Sequence, residues 1–227
     1  MTRAVDSHLQ ELRDLILRMG SLAERILDKA LRAFCEHAVE LAREVQQDDL
    51  AIDELDLAVE AAVLRVLALQ APVADDLRQV LGSKMIATDL ERVGDLSRNI
   101  AKSAIRLAQR PPVTLPPKLQ KLAVDASALL ADALDSFAQS DPEKARRVLA
   151  GDDAVDSGQD EVILRALEEI REHPELTSQE VDLILVAKNL ERVADHATNI
   201  AEDVILILEA RQVKHASKLH LPTGEDF

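Results

Sequence analysis

Leu90-Glu91-Arg92-Val93-Gly94-Asp95-Leu96-Ser97-Arg98-Asn99-Ile100-Ala101 returns one hundred residues later as Leu190-Glu191-Arg192-Val193-Ala194-Asp195-His196-Ala197-Thr198-Asn199-Ile200-Ala201. Eight of the twelve positions are identical, far beyond what shared composition supplies. The chain is therefore a duplication. Advancing about 100° per residue from Leu90 gathers Val93, Ser97, Ile100, Ala104 and Leu107 near 300°. Glu91, Asp95 and Asn99 fall at about 100–180°, away from that seam. Glu191, Asp195 and Asn199 repeat the arrangement, with Asp203 extending the row. Each unit thus predicts one amphipathic helix with an aliphatic packing seam and an outward row of oxygen ligands.

Working outward, the seam pattern extends into a wholly helical layout. Apolar residues at three- and four-residue steps predict a first helix from about Val5 to Val45, with Gly20-Ser21 as a candidate bend and Gln46-Gln47-Asp48 as its end. A second helix carries Ile52, Leu55, Val59, Ala62, Val66 and Leu69 and stops at Pro72, and a third covers Ala74 to Ala108. Arg110-Pro111-Pro112-Val113-Thr114-Leu115-Pro116-Pro117 holds four prolines in seven residues and cannot be helical. The pattern then restarts, with a fourth helix near Leu119–Ala138. A fifth begins at Asp141-Pro142-Glu143 and is expected to break near Gly151. A sixth opens on Thr177-Ser178-Gln179-Glu180, read as a capping box, and ends near Arg211. The expected fold is all-α: two pseudo-symmetric three-helix bundles from an internal duplication, residues 1–110 and 118–213, followed by a loose tail, 214–227.

Composition supports helices. The chain has no Trp or Tyr, and its aromatic residues are Phe34, Phe137 and Phe227, too few for a sandwich or barrel core. Lys and Arg number 27 against 42 Asp and Glu, a net charge of −15. Such a surface repels nucleic-acid phosphates and suits cations or a basic protein. The single Cys35 lies in a helical stretch and reads as a small core residue. One cysteine and no signal peptide at Met1-Thr2-Arg3-Ala4-Val5-Asp6 point to the cytosol. Apolar runs such as Val204-Ile205-Leu206-Ile207-Leu208 are too short to span a bilayer, so membrane contact is expected only through partners.

The second helix carries a further acidic stripe, Asp49, Asp53, Asp56 and Glu60, and the fifth has Asp152, Asp156 and Asp160. An offset of 103 aligns Asp49/Asp53 with Asp152/Asp156, so these pairs belong to the duplication. Carboxylates one turn apart lie close enough to share a cation. With this many acids, chance alone supplies roughly 8 such pairs, and Arg92, Arg98 and Lys102 stand ready to neutralise the first row. A metal-binding row and a solvated salt-bridge face are both open readings. His196 follows Asp195 as a possible fifth ligand, although a lone histidine on a helix edge is more often structural. Catalytic constellations are absent from the sequence. No histidine follows an acid by three residues as in di-iron bundles, and there is no Cys/His cluster, Gly-rich phosphate loop or nucleophile elbow.

The two Leu-Glu-Arg-Val-x-Asp units with their Asn-Ile-Ala ends, together with the turn Gln70-Ala71-Pro72-Val73-Ala74-Asp75-Asp76-Leu77-Arg78, resemble the PhoU family of phosphate-uptake regulators. The resemblance runs from the first helix to about Arg211. It implies an adaptor, not an enzyme, that damps phosphate-starvation signalling. The partners it implies are the ATPase of the phosphate ABC transporter and the phosphate-sensing histidine kinase, with a homodimer expected. It also implies multinuclear iron or zinc in some members and none in others. The corresponding residues here are Glu91/Asp95 with Asp49/Asp53, and Glu191/Asp195 with Asp152/Asp156; Asn99 and Asn199 complete the rows. The fifth helix matches poorly beyond Asp156 and the second half lacks the proline turn, so the first set is expected to be the better site. The alternative is a carboxylate-cluster metal-binding protein with hydrolase or redox activity.

Overall fold

The computed structural model describes residues 4–213, so the expected tail at 214–227 lies outside the described residues. Among the described residues there are six long helices and no strand: α1 (Ala4–Glu36), α2 (Val39–Gln70), α3 (Ala74–Ala108), α4 (Pro117–Gln139), α5 (Pro142–Glu172) and α6 (Thr177–Glu209). A 3-10 turn, Pro174–Leu176, leads into α6. The first three helices pack on one another, as do the last three, and the halves join through α3 against α6 and α1 against α4. Gly82 beside Ile207, Asp89 beside His196 and Arg106 beside Asp182 show that α3 and α6 run antiparallel. That register puts the two repeated motifs opposite each other at the middle of the crossing. The outer helices, α2 and α5, touch only their own halves.

The duplication holds through the core. Ile86/Val186, Leu90/Leu190, Val93/Val193 and Ile100/Ile200 are all buried at the offset of 100. On the outer helices Ala42/Ala145, Val45/Val148, Ile52/Val155, Val59/Val162 and Val63/Ala166 are all buried at the offset of 103. The correspondence of α5 with α2 therefore continues past Asp156, in its inward positions. All of these except Ala166 belong to one aliphatic core shared by both halves.

Several boundaries differ from the sequence expectation. The first helix ends at Glu36, where His37 takes a left-handed backbone (φ 54°), and α2 runs unbroken through Gln46-Gln47-Asp48. Ala42 and Val45 belong to the core face of α2, which is why a seam runs through both helices without a gap in its spacing. Pro72 sits in the short link between α2 and α3, after Ala71 has also turned left-handed (φ 43°). Neither Gly20 nor Gly151 breaks its helix. Each lets a leucine of α4 in close: an added Cβ would stand 2.7 Å from Leu134 Cδ2 at Gly20 and 2.8 Å from Leu129 Cδ2 at Gly151. The capping box at Thr177 does not form. The 3-10 turn runs straight into α6, so the Thr177 hydroxyl donates to the Pro174 carbonyl at 2.6 Å and Glu180 turns inward to Arg165 Nη1 at 2.9 Å. Asp141 does cap α5, accepting from the Lys144 amide at 3.0 Å. Cys35 is exposed, close to the C-terminal end of α1, and is not a core residue; burial of part of its surface, with Glu36 nearby, still pushes its thiol pKa up.

Candidate functional site

The acidic row of α3 is neither outward nor alone. Because α2 lies alongside α3, Glu91 and Asp95 are half-buried at the seam between the helices, facing Asp49, Asp53 and Asp56. Gly94 makes the approach possible: a Cβ there would meet Asp49 Oδ1 at 2.7 Å and Ile52 Cδ1 at 2.9 Å. Asp49 is thereby buried. Burial raises its pKa, Arg98 pulls it down, and Asp53 and Asp95 push it up again. Glu91 is raised by burial, opposed by Arg92, and raised further by Asp95, Asp53 and Asp56. Basic side chains thread this cluster. Arg98 Nη1 lies 2.7 Å from Asp49 Oδ2 and also bonds Asp95; Lys84 Nζ donates to Asp56 at 2.8 Å; Arg92 Nε lies 3.3 Å from Glu91.

The second cluster, Asp152 and Asp156 on α5 with Glu191 and Asp195 on α6, has a different balance. Burial raises the Glu191 pKa first; Asp195, Asp156 and Asp152 raise it further, and Arg192 opposes them. Where α3 has Lys84, Arg98 and Lys102, α6 has Ile184, Thr198 and Glu202. The cations that thread the first cluster thus have no equivalents at these positions in the second. An all-oxygen donor set of like charge fits a hard or borderline cation; both clusters have that donor chemistry, and they differ in the cations contributed by α3 and α6 at these positions. In the described side-chain arrangement no three Asp, Glu, His or Cys groups converge tightly enough to hold an ion. Asn99 and Asn199 bond other partners. The Asn99 side chain accepts from Lys102 at 3.4 Å, and Asn199 Nδ2 donates to Asp89 Oδ1 at 3.2 Å. His196 also turns to Asp89, with Nδ1 2.7 Å from Oδ1, so it joins the halves and does not extend the Glu191/Asp195 row.

Two further groups escaped the sequence reading. Asp182, its side chain 3% exposed, accepts from Arg106 Nε at 2.7 Å and Arg110 Nη1 at 2.8 Å, locking α3 to α6. Arg110 Nη1 also reaches the Ser178 carbonyl at 2.7 Å, fixing the start of the proline linker to the opposite half. Glu180, 1% exposed, is held by Arg165 of α5. The signal was present: Asp182 stands four residues before Val186, on the α6 seam, where only a partnered acid is tolerated.

Comparison with known proteins places this architecture. The model of the PhoU domain matches residues 16–104 and again 119–204, one match per three-helix half. The chain belongs to the PhoU family. Among curated relatives, the phosphate-specific transport system accessory protein PhoU homolog of Aquifex aeolicus is 36% identical over 181 residues, covering 80% of this chain and 82% of the relative. The protein of the same name from Rhizobium meliloti is 36% identical over 188 residues, covering 82% and 79%. The crystal structure of PhoU from Pseudomonas aeruginosa superposes with a TM-score of 0.88 at 29% identity, over 90% of this chain and 99% of that one. The phosphate transport system regulatory protein PhoU from Streptococcus pneumoniae gives a TM-score of 0.86 at 27% identity, over 92% and 99%. The PhoU-family duplication read from the repeated motif is thus the duplication of the fold. Among the described residues of this PhoU-family chain, no helix is long and apolar enough to cross a membrane.

Proposed function

We propose that this chain regulates phosphate uptake and lowers phosphate-starvation signalling, as a non-catalytic adaptor between the phosphate ABC transporter and its sensor histidine kinase. The observation that carries the reading is the PhoU-domain match across both halves, with relatives named for the accessory role in phosphate-specific transport. The net charge of −15 and the acidic seams of α2/α3 and α5/α6 suit basic faces on protein partners. The adaptor acts in the cytoplasm as a homodimer and meets the membrane only through the transporter and the kinase. Used as bait in a phosphate-replete lysate, the folded chain should retain the transporter ATPase or the kinase. Recovery of neither by an intact bait would sink the proposal.

A second reading attaches to the α5/α6 cluster. Asp152, Asp156, Glu191 and Asp195 would hold iron or zinc, with Glu91, Asp95, Asp49 and Asp53 as the weaker set. The threading of the first set by Lys84 and Arg98, where α6 has Ile184 and Thr198, supports that order. A bound cation would offset the mutual repulsion of these carboxylates and would tie α5 to α6. The chain's own contribution is to hold the four acids on two facing helices. Elemental analysis of gently purified protein tests this, with Glu191→Ala/Asp195→Ala and Glu91→Ala/Asp95→Ala beside the wild type. Metal lost mainly from the first variant supports the assignment; metal-free wild type refutes it. A hydrolase or redox role would require stoichiometric metal and turnover that disappear together.

A further inference from the structure

Leu50, Leu57 and Leu64 are 60%, 66% and 59% exposed on α2. Their spacing of seven places them on one stripe along the helix, drifting only about 20° per heptad. Ala61 and Ala68, both exposed, lie between and beyond them. The duplication supplies an internal control. At the offset of 103, α5 carries Asp153, Asp160 and Leu167 in these positions, while its inward Val155 and Val162 pack as Ile52 and Val59 do. A helix of this shape in this fold therefore accepts aspartate where α2 has Leu50 and Leu57. Packing within the half does not ask for leucine there, and large exposed apolar side chains repeated along one stripe mark a contact face.

The flanks of the stripe indicate what covers it. Asp53, Glu54 and Glu60 are exposed, and no described cation pairs with any of them. The arginines of this helix are engaged: Arg43 with Glu40 and Arg65 with Glu11. Beside Leu57 a groove of about 400 Å³ is lined by Asp53, Asp56, Glu91, Lys84 and Arg92. A second copy fits this face poorly. Antiparallel pairing about Leu57 sets Leu50 against Leu64 but Glu54 against Glu60, and parallel pairing sets each acid against its own copy. An anionic membrane surface would be repelled by the same acids.

We infer that the outer face of α2 docks an amphipathic helix of another protein, whose apolar residues at heptad spacing cover Leu50, Leu57 and Leu64 and whose flanking Lys or Arg meet Asp53, Glu54 and Glu60. This is helix-to-helix recognition with apolar anchors and charged edges. It rests on the adaptor reading only in supplying that reading with one docking face and the chemistry of its partner.

The test uses the full chain and two labelled synthetic helices of about three heptads, both with leucine at the seam, one with lysine and the other with glutamate at the edges. Fluorescence anisotropy should show binding of the lysine helix and not of the glutamate helix. In Leu50→Asp/Leu57→Asp, which installs the residues of α5, affinity for the lysine helix should fall at least about tenfold. The variant adds two negative charges, so attraction by charge alone would strengthen, and the direction of change separates the two causes. Unchanged or tighter binding by the variant overturns the inference. So does equal binding of both helices, or sedimentation showing a wild-type dimer that the variant loses. Should that variant melt early, Glu54→Lys/Glu60→Lys serves instead; its preference should swing to the glutamate helix, and a retained preference for lysine is a refutation. Failure of the bait to retain ATPase or kinase bears on the adaptor reading alone, and failure of the lysine helix to bind bears on this inference alone.

Discussion

Replacing Asp182 by alanine removes the acid that holds α3 and the start of the proline linker to α6. Three guanidinium hydrogen bonds end on this side chain, two from Arg106 and one from Arg110. Removing one partner of a buried ion pair costs about 3–5 kcal/mol. Here the Arg106 and Arg110 side chains are 41% and 33% exposed, so water recovers part of their solvation once the acid is gone. The expected loss is therefore nearer 2–3 kcal/mol. In a domain of this size that corresponds to a Tm lowered by about 5–10 °C. Asp182→Asn keeps an acceptor without the charge and should lose about half as much. Urea unfolding with the linear extrapolation measures the loss. A cycle with Arg106→Ala should then show a coupling above about 1 kcal/mol. Limited proteolysis between Arg110 and Pro117 should quicken as well, because Arg110 loses one of the two bonds that fix it. A variant within about 0.5 kcal/mol of the wild type would refute the reasoning, as would a large loss with no coupling to either arginine.

Three further outcomes follow from the packing and the charges. Gly94→Ala brings a Cβ to 2.7 Å from Asp49 Oδ1 and 2.9 Å from Ile52 Cδ1, so both side chains must shift. Overpacking of about 1–3 kcal/mol, set against the roughly 1 kcal/mol that alanine gains over glycine inside a helix, leaves a net loss of up to about 2 kcal/mol in urea unfolding, and a variant more stable than the wild type would contradict the close crossing. His37→Gly relieves a left-handed residue and should gain about 0.5 kcal/mol after the added freedom of the unfolded chain is counted, whereas His37→Ala should gain nothing, as thermal melts will show. The Glu191 carboxyl is raised from 4.5 by burial and by Asp195, Asp156 and Asp152, so the folded chain binds this proton more tightly than the unfolded one and stability falls as pH rises through that raised value. In chelator, Glu191→Gln should therefore exceed the wild type in urea midpoint at pH 7, with the gap closing toward pH 4; a less stable variant at pH 7 would reverse the sign and refute it.

Periodicity and proline carried much of the fold into view. The repeated motif located α3 and α6, and Pro111-Pro112 with Pro116-Pro117 marked the division between the halves. The turn at His37 stayed hidden because Glu36-His37-Ala38 holds neither glycine nor proline, and the apolar spacing of α1 continues in phase into α2. The glycines have another use: Gly20 and Gly151 admit neighbouring leucines within unbroken helices. At the candidate site, the carboxylates themselves were legible, since spacing on one helix fixes which acids share a face. Which acids already have cations depends on how α2 meets α3 and α5 meets α6. A single-helix projection could not show Arg98 reaching across to Asp49. Nor could it show that Glu191 faces Asp152 and Asp156 of the neighbouring helix. The inward turn of Asp182 and Glu180 likewise depends on Arg106, Arg110 and Arg165, which lie 15 or more residues away in the chain.

The bridge from Asp89 to His196 and Asn199 occurs on one side of the α3–α6 crossing, for the equivalent positions hold Asn189, Leu96 and Asn99. In a dimer of single repeats joined about a two-fold axis, any residue on the contact would be present twice, and every improvement would have to suit itself from both directions. Joining the repeats through 110–117 removes that obligation. A histidine can be placed against an aspartate once, without a second histidine confronting a second aspartate across the axis. The same release lets Lys84 and Arg98 stand beside the acids of one flank while Ile184 and Thr198 hold the matching positions on the other, so a single molecule offers two outer surfaces of different chemistry held by one core.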